Sequence, residues 1–122
     1  MVRLFLVAGG VFAFLGVAGG AFGAHVLKNR ISIEMLSVFE VGVRYQMYHA
    51  FALIVTAWLQ SKWPSLIGII SGWLFILGII LFSGSLYLLS LGGPAWVGPI
   101  TPLGGFAFLF GWLLMVLAAF KV

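Results

Sequence analysis

The sequence predicts an all-α, integral membrane four-helix bundle with an amphipathic N-terminal extension on the second helix. Three observations carry that prediction: the composition, the spacing of the few charges, and four apolar stretches of membrane-crossing length. Of 122 residues, 64% are hydrophobic and 7% charged, and the mean hydropathy is +1.28. A soluble domain of this size needs more polar surface than that to coat its exterior. Six basic residues, Arg3, Lys28, Arg30, Arg44, Lys62 and Lys121, stand singly or as one near-pair, as punctuation between membrane spans does. Nucleic-acid binding needs Lys and Arg clustered along a face, so this distribution argues against it. There is no cysteine, which removes disulfide and thiolate chemistry and leaves the compartment unread from sulfur.

The chain reads as a single membrane domain over residues 1–122, with spans at about 4–24, 40–60, 66–89 and 103–120. The first span follows Arg3. A cleaved leader is its competing reading, because Ala21-Phe22-Gly23 or Phe22-Gly23-Ala24 resembles a weak cleavage site. Helix-packing chemistry favours a retained span: Gly16 with Gly20 and Gly19 with Gly23 form overlapping GxxxG pairs, extended by Gly9 and Ala13. Small residues let backbones approach closely in lipid, where van der Waals contact replaces the hydrophobic drive.

The second helix is the polar one. Ser32 is its expected N-cap, with Glu34 in the first turn. On a helical wheel Glu34, Ser37, Glu40, Arg44, Tyr45, Tyr48, His49, Thr56 and Gln60 fall on one arc of about 200°, and Leu36, Val43, Ala50, Ile54 and Ala57 fall opposite. The helix should leave the membrane near Gln60-Ser61-Lys62-Trp63-Pro64. Counting back about 20 residues puts Glu40 and Arg44 at the other boundary, where their i, i+4 spacing suits an ion pair. His49 then lies near the midplane, where a charge costs about 2.5 to 3.5 kcal/mol, so it is expected neutral and hydrogen-bonded. Residues before Glu40 form the amphipathic extension along the headgroups.

The third span carries Gly68 and Gly72 at GxxxG spacing and later Ser83-Gly84-Ser85. A loop from Ser90 to Pro102 holds three prolines, three glycines and no charge, so turns rather than ions structure it. Thr101-Pro102 is the expected start of the last span, Thr101 as N-cap, with Gly104, Ala107 and Gly111 as its small face. Four spans bring the two termini to one side, and the uncharged third loop argues that both are cytoplasmic.

Several motifs in chain order resemble the YgdD/YwdK family of small four-span membrane proteins: Gly20-Ala21-Phe22-Gly23-Ala24-His25 with Leu27-Lys28, Tyr45-Gln46-Met47-Tyr48-His49-Ala50, Phe82-Ser83-Gly84-Ser85-Leu86-Tyr87, and Ile100-Thr101-Pro102-Leu103-Gly104-Gly105 with Gly111-Trp112. The resemblance implies a bacterial plasma membrane location and a four-helix fold. It implies no catalytic residue, since the family's function is unknown. The charged stretch Glu40 to Arg44 departs from the family pattern, which leaves that pair without a family role.

Two readings of function compete. In the first, His25, Glu40, Arg44, Tyr45, Tyr48 and His49 bind or pass a small solute, ion or lipid headgroup near one membrane face, because ionisable residues within spans mark functional sites. Its plainer counterpart is that His49 and Tyr45 merely knit the second helix to its neighbours. In the second, Gly16, Gly19, Gly20, Gly23, Gly68, Gly72, Gly84, Gly104 and Gly111 pack helices together, onto further copies in a homo-oligomer or onto a larger membrane complex. Catalysis is not expected: there is no phosphate loop or nucleophile–base pair, and Glu34 and Glu40 lie about 120° apart around the helix. No cofactor or metal is expected either, because His25 and His49 lie roughly 10 to 15 Å apart in depth.

Overall fold

The computed structural model describes residues 1–122. It is all helix: α1 Val2–His25, α2 Ile33–Lys62, α3 Leu66–Ser90 and α4 Ile100–Ala119. Single 3-10 turns at Leu27–Asn29 and Ala95–Val97 lie in the first and third connections. Within α3 the backbone widens to π geometry over Ile79–Ser83. Three segments, Val2–Asn29, Leu66–Ser90 and Ala95–Ala119, are helical, long and apolar enough to cross a membrane. The molecule is a membrane helical bundle with α2 as its most polar member.

Local chemistry sets the helix ends. The Ser32 hydroxyl accepts a hydrogen bond from the Met35 N–H at 3.1 Å, as an N-cap should. At the far end of α2 the Gln60 amide grips the backbone of Ser65, donating to its carbonyl at 3.1 Å and accepting from its N–H at 3.2 Å. Ser65 in turn caps α3 by accepting from the Gly68 N–H at 3.0 Å. This pins the α2–α3 corner through one side chain. Thr101 does not cap α4. The helix begins at Ile100 because Pro99 already has helical dihedrals, φ −62° and ψ −14°, so Thr101 falls inside the first turn and its hydroxyl pairs with that of Ser85 at 2.5 Å.

Each helix runs antiparallel to the next. Along the α1–α2 seam Gly9 faces Ala50 and Ile54, Gly16 faces Met47, and Gly23 faces Phe39. These three buried glycines are seven residues apart, the two-turn repeat of coiled-coil-like packing. The overlapping GxxxG pairs are therefore each half used: a Cβ added at Gly19 or Gly20 would stand 3.6 Å from Val43, at ordinary contact distance. Along the α3–α4 seam rings lie on glycines, Phe108 on Gly78 and Phe75 on Gly111, while Gly104 meets the backbone of Phe82. Gly68 and Gly72 make room for Gln60 and Phe5. Gly84 does not pack as expected; nothing lies within 4 Å of its Cβ position. The π turn brings its neighbours Ser83 and Ser85 inward, and Gly84 fronts an open groove beside α1.

The core gathers Phe5, Ala52, Leu53, Ala57, Phe75, Ile79 and Phe108 from all four helices. The stripe of α2 that points inward is Phe39, Gly42, Gln46, His49, Leu53, Thr56 and Gln60. Its outward stripe is Arg44, Tyr48, Phe51, Val55 and Trp58, all exposed. The apolar arc opposite the polar one is not the outer face, since Val43, Ala50 and Ile54 fill the glycine hollows of α1 and Ala57 joins the core. A helical wheel gives the angular relation of residues but not the neighbour that covers them.

Candidate functional site

Two features meet on the α4-facing side of α2. The first is a knot of satisfied polar groups around His49. Its ring is 4% exposed, with Nδ1 2.7 Å from the Tyr45 carbonyl and Nε2 accepting from the Trp112 indole N–H at 3.0 Å. An indole can only donate and a carbonyl can only accept, so the imidazole is neutral with its proton on Nδ1. One face stacks on Phe108 with centroids 3.5 Å apart and planes 6° from parallel. Both nitrogens and one face are therefore occupied within the chain.

One turn away, Gln46 ties three helices. Its amide N–H donates to the Phe12 carbonyl of α1 at 2.8 Å, and its carbonyl accepts from the Tyr87 hydroxyl of α3 at 2.6 Å. Ser83 donates to the Gly42 carbonyl at 2.6 Å, and Ser71 to the Gly111 carbonyl at 2.7 Å. No buried side-chain nitrogen or oxygen lacks a partner. Unpaired polar groups are costly in hydrocarbon, and each of these is matched.

The second feature is a groove of about 660 Å³ between α2 and α4. Tyr45, Tyr48 and His49 form one wall, Phe82 of α3 lies between, and Pro102, Gly105, Phe106, Phe108, Leu109 and Trp112 form the other wall. Its α4 wall covers ten residue steps, about 15 Å of helix. The Tyr45 and Tyr48 rings are 5.6 Å apart, and they are 37% and 52% exposed. Neither hydroxyl has a partner within the chain, whereas that of Tyr87 is bound to Gln46.

Of the six residues proposed from the sequence, the groove brings together Tyr45, Tyr48 and His49. His25 is exposed at the end of α1, and Glu40 and Arg44 are exposed along α2; none of the three lines the groove. Glu40 and Arg44 form no salt bridge within 4.0 Å. Both side chains are free to extend into solvent, where such a pair gains little. Sequence reasoning missed Phe82, Phe108 and Trp112. A signal existed on α4, since Gly105, Phe108 and Trp112 recur at helical spacing.

A family model described as a protein of unknown function, DUF423, matches residues 19–105. The UPF0382 membrane protein YwdK of Bacillus subtilis is 46% identical over 121 residues, covering 98% of each chain. A UPF0382 membrane protein of Staphylococcus saprophyticus is 40% identical over 121 residues, 99% of this chain and 100% of the relative. One from Staphylococcus aureus is 44% identical over 126 residues, 98% of each. No solved structure matches. With both ends of the groove's α2 wall and most of its supporting helices inside the matched stretch, the chain belongs to the DUF423 family of membrane proteins of unknown function, alongside the UPF0382 membrane proteins of Bacillus and Staphylococcus.

Proposed function

We propose that this is a non-catalytic multi-pass protein of the bacterial plasma membrane that receives the hydrocarbon chain of a membrane amphiphile in the groove between α2 and α4. The carrying observation is the groove itself: aromatic and aliphatic walls, about 660 Å³, and two phenol hydroxyls at its side with no partner in the chain. An apolar trough with a few polar groups suits an amphiphile. Passage of an ion or polar solute has less support, because the buried polar groups that would line such a route already satisfy one another.

The reading requires α2 to cross the bilayer. It lies against α1 from Gly23–Phe39 to Gly9–Ile54, and against α3 from Ser83–Gly42 to Ser65–Gln60. A hydrocarbon slab that holds α1 and α3 therefore encloses α2 from about Tyr45 to Gln60 as well, with Glu40 and Arg44 at its outer boundary. Four crossings put the termini on one side, and the uncharged Ser90–Pro102 loop favours a cytoplasmic location for both. A reporter fused after Val122 that acts only outside the cytoplasm would reverse that orientation.

The alternative, an assembly protein that docks through glycine faces, draws less support from the glycines themselves. Gly16, Gly23, Gly68, Gly72, Gly104 and Gly111 are covered by side chains or backbone of this same chain. The groove is tested with a phospholipid carrying a photoactivatable diazirine on its acyl chain. Cross-links are expected on peptides spanning residues 45–49 and 102–112, and Gly105→Leu should suppress them. Labelling spread evenly over the outer face of α1 would sink the proposal.

A further inference from the structure

The groove names a chain but not a headgroup. Its depth narrows the choice of leaflet. The α4 wall runs from Pro102, in the first turn of the helix, to Trp112, about 15 Å along it. Half of a hydrocarbon core of about 30 Å is the same length. An acyl chain lying in the groove therefore belongs to the leaflet on the side where α4 begins and α2 enters.

At the outer end of the groove's α2 wall, Arg44 stands next to Tyr45 and one turn before Tyr48, and Glu40 is one turn further out, about 6 Å along the axis per turn. Both are exposed and, as noted, they do not pair with each other. The order from the groove outward is thus phenol hydroxyl, guanidinium, carboxylate. A phospholipid presents the matching order from its chain outward: ester oxygens, phosphate, then whatever the phosphate carries. Guanidinium suits phosphate, and a carboxylate one turn beyond repels an anionic headgroup and gains more from an ammonium than from the neutral hydroxyls of a glycerol headgroup.

Resting on the groove reading above, we propose that the occupant is a zwitterionic phospholipid with a primary ammonium, a phosphatidylethanolamine, its phosphate held by Arg44 and its ammonium by Glu40. Lys28 and Arg30, exposed at the same membrane face, draw anionic lipids without discrimination. Glu40 is what tilts the choice.

The test is native mass spectrometry of the full chain from micelles doped with equal amounts of phosphatidylethanolamine, phosphatidylglycerol and phosphatidylcholine of identical acyl chains. Phosphatidylethanolamine should be retained about fivefold over phosphatidylglycerol, equivalent to about 1 kcal/mol. Glu40→Gln should abolish or invert that preference, and Arg44→Gln should lower retention of all three. Both positions are exposed, so neither substitution disturbs the core. Gly105→Leu projects into the groove from a position whose nearest side-chain atom, on Phe82, is 4.0 Å away, and should remove bound lipid of every kind. Equal retention of the three headgroups by the native chain, or a preference untouched by Glu40→Gln, overturns the headgroup assignment and spares the groove. Retention unchanged by Gly105→Leu overturns the groove reading itself.

Discussion

Tyr45 and Tyr48 stand beside Gln46 and His49 on the same turns of α2, yet the two pairs are in opposite states. Gln46 and His49 are buried with every polar atom bound inside the chain, whereas the tyrosine hydroxyls are open at the groove. A rotation of about 100° around the helix separates holding the bundle together from facing what lies outside it. Polarity within a membrane segment therefore has two separable meanings, and the partner of each atom distinguishes them.

The comparison can be broken most severely at Gly104. A side chain there meets the backbone of Phe82, which cannot rotate aside, so Gly104→Leu should displace α4, costing about 3 kcal/mol. Thermal unfolding in detergent reads the loss, and the groove should disappear with it. Gln46→Leu is next. It strands the Tyr87 hydroxyl and should cost about 1 to 3 kcal/mol by the same measurement.

The His49–Trp112 bond sharpens the contrast on a smaller scale. His49→Phe preserves the stack on Phe108 and Trp112→Phe removes the donor, so a double-mutant cycle isolates the bond. The expected coupling is about 0.6 to 1.7 kcal/mol, the range for hydrogen bonds between membrane helices. A coupling of zero would mean that the imidazole is free for other work. Smallest of all, Tyr45→Phe and Tyr48→Phe should each leave stability within about 0.5 kcal/mol. A drop in acyl-chain cross-linking without a drop in melting temperature would place those hydroxyls on the binding side of the comparison.

Much of this architecture was legible beforehand, and the reasons are local. The Ser32 cap is a short-range contact, and the end of α2 near Lys62 follows from the approach of Pro64. His49 was expected neutral and hydrogen-bonded on cost alone, and its geometry agrees. What was misread depends on partners distant in sequence. Thr101 looked like a cap but bonds Ser85, and Gly84 looked like a packing residue but faces open space. Glu40 and Arg44 had the spacing of an ion pair without forming one. The groove takes in three of the six proposed residues for the same reason: His25, Glu40 and Arg44 share a membrane face with it but do not line it.

Composition alone determined that this chain belongs in lipid as helices, because 64% hydrophobic residues and so few charges leave the backbone no partner but itself. Which polar groups would be consumed in holding the helices together was decided only by tertiary structure. A wheel fixes directions around one axis, whereas saturation of an imidazole needs an indole 63 positions away, brought there by glycines that let the α3 and α4 backbones close up.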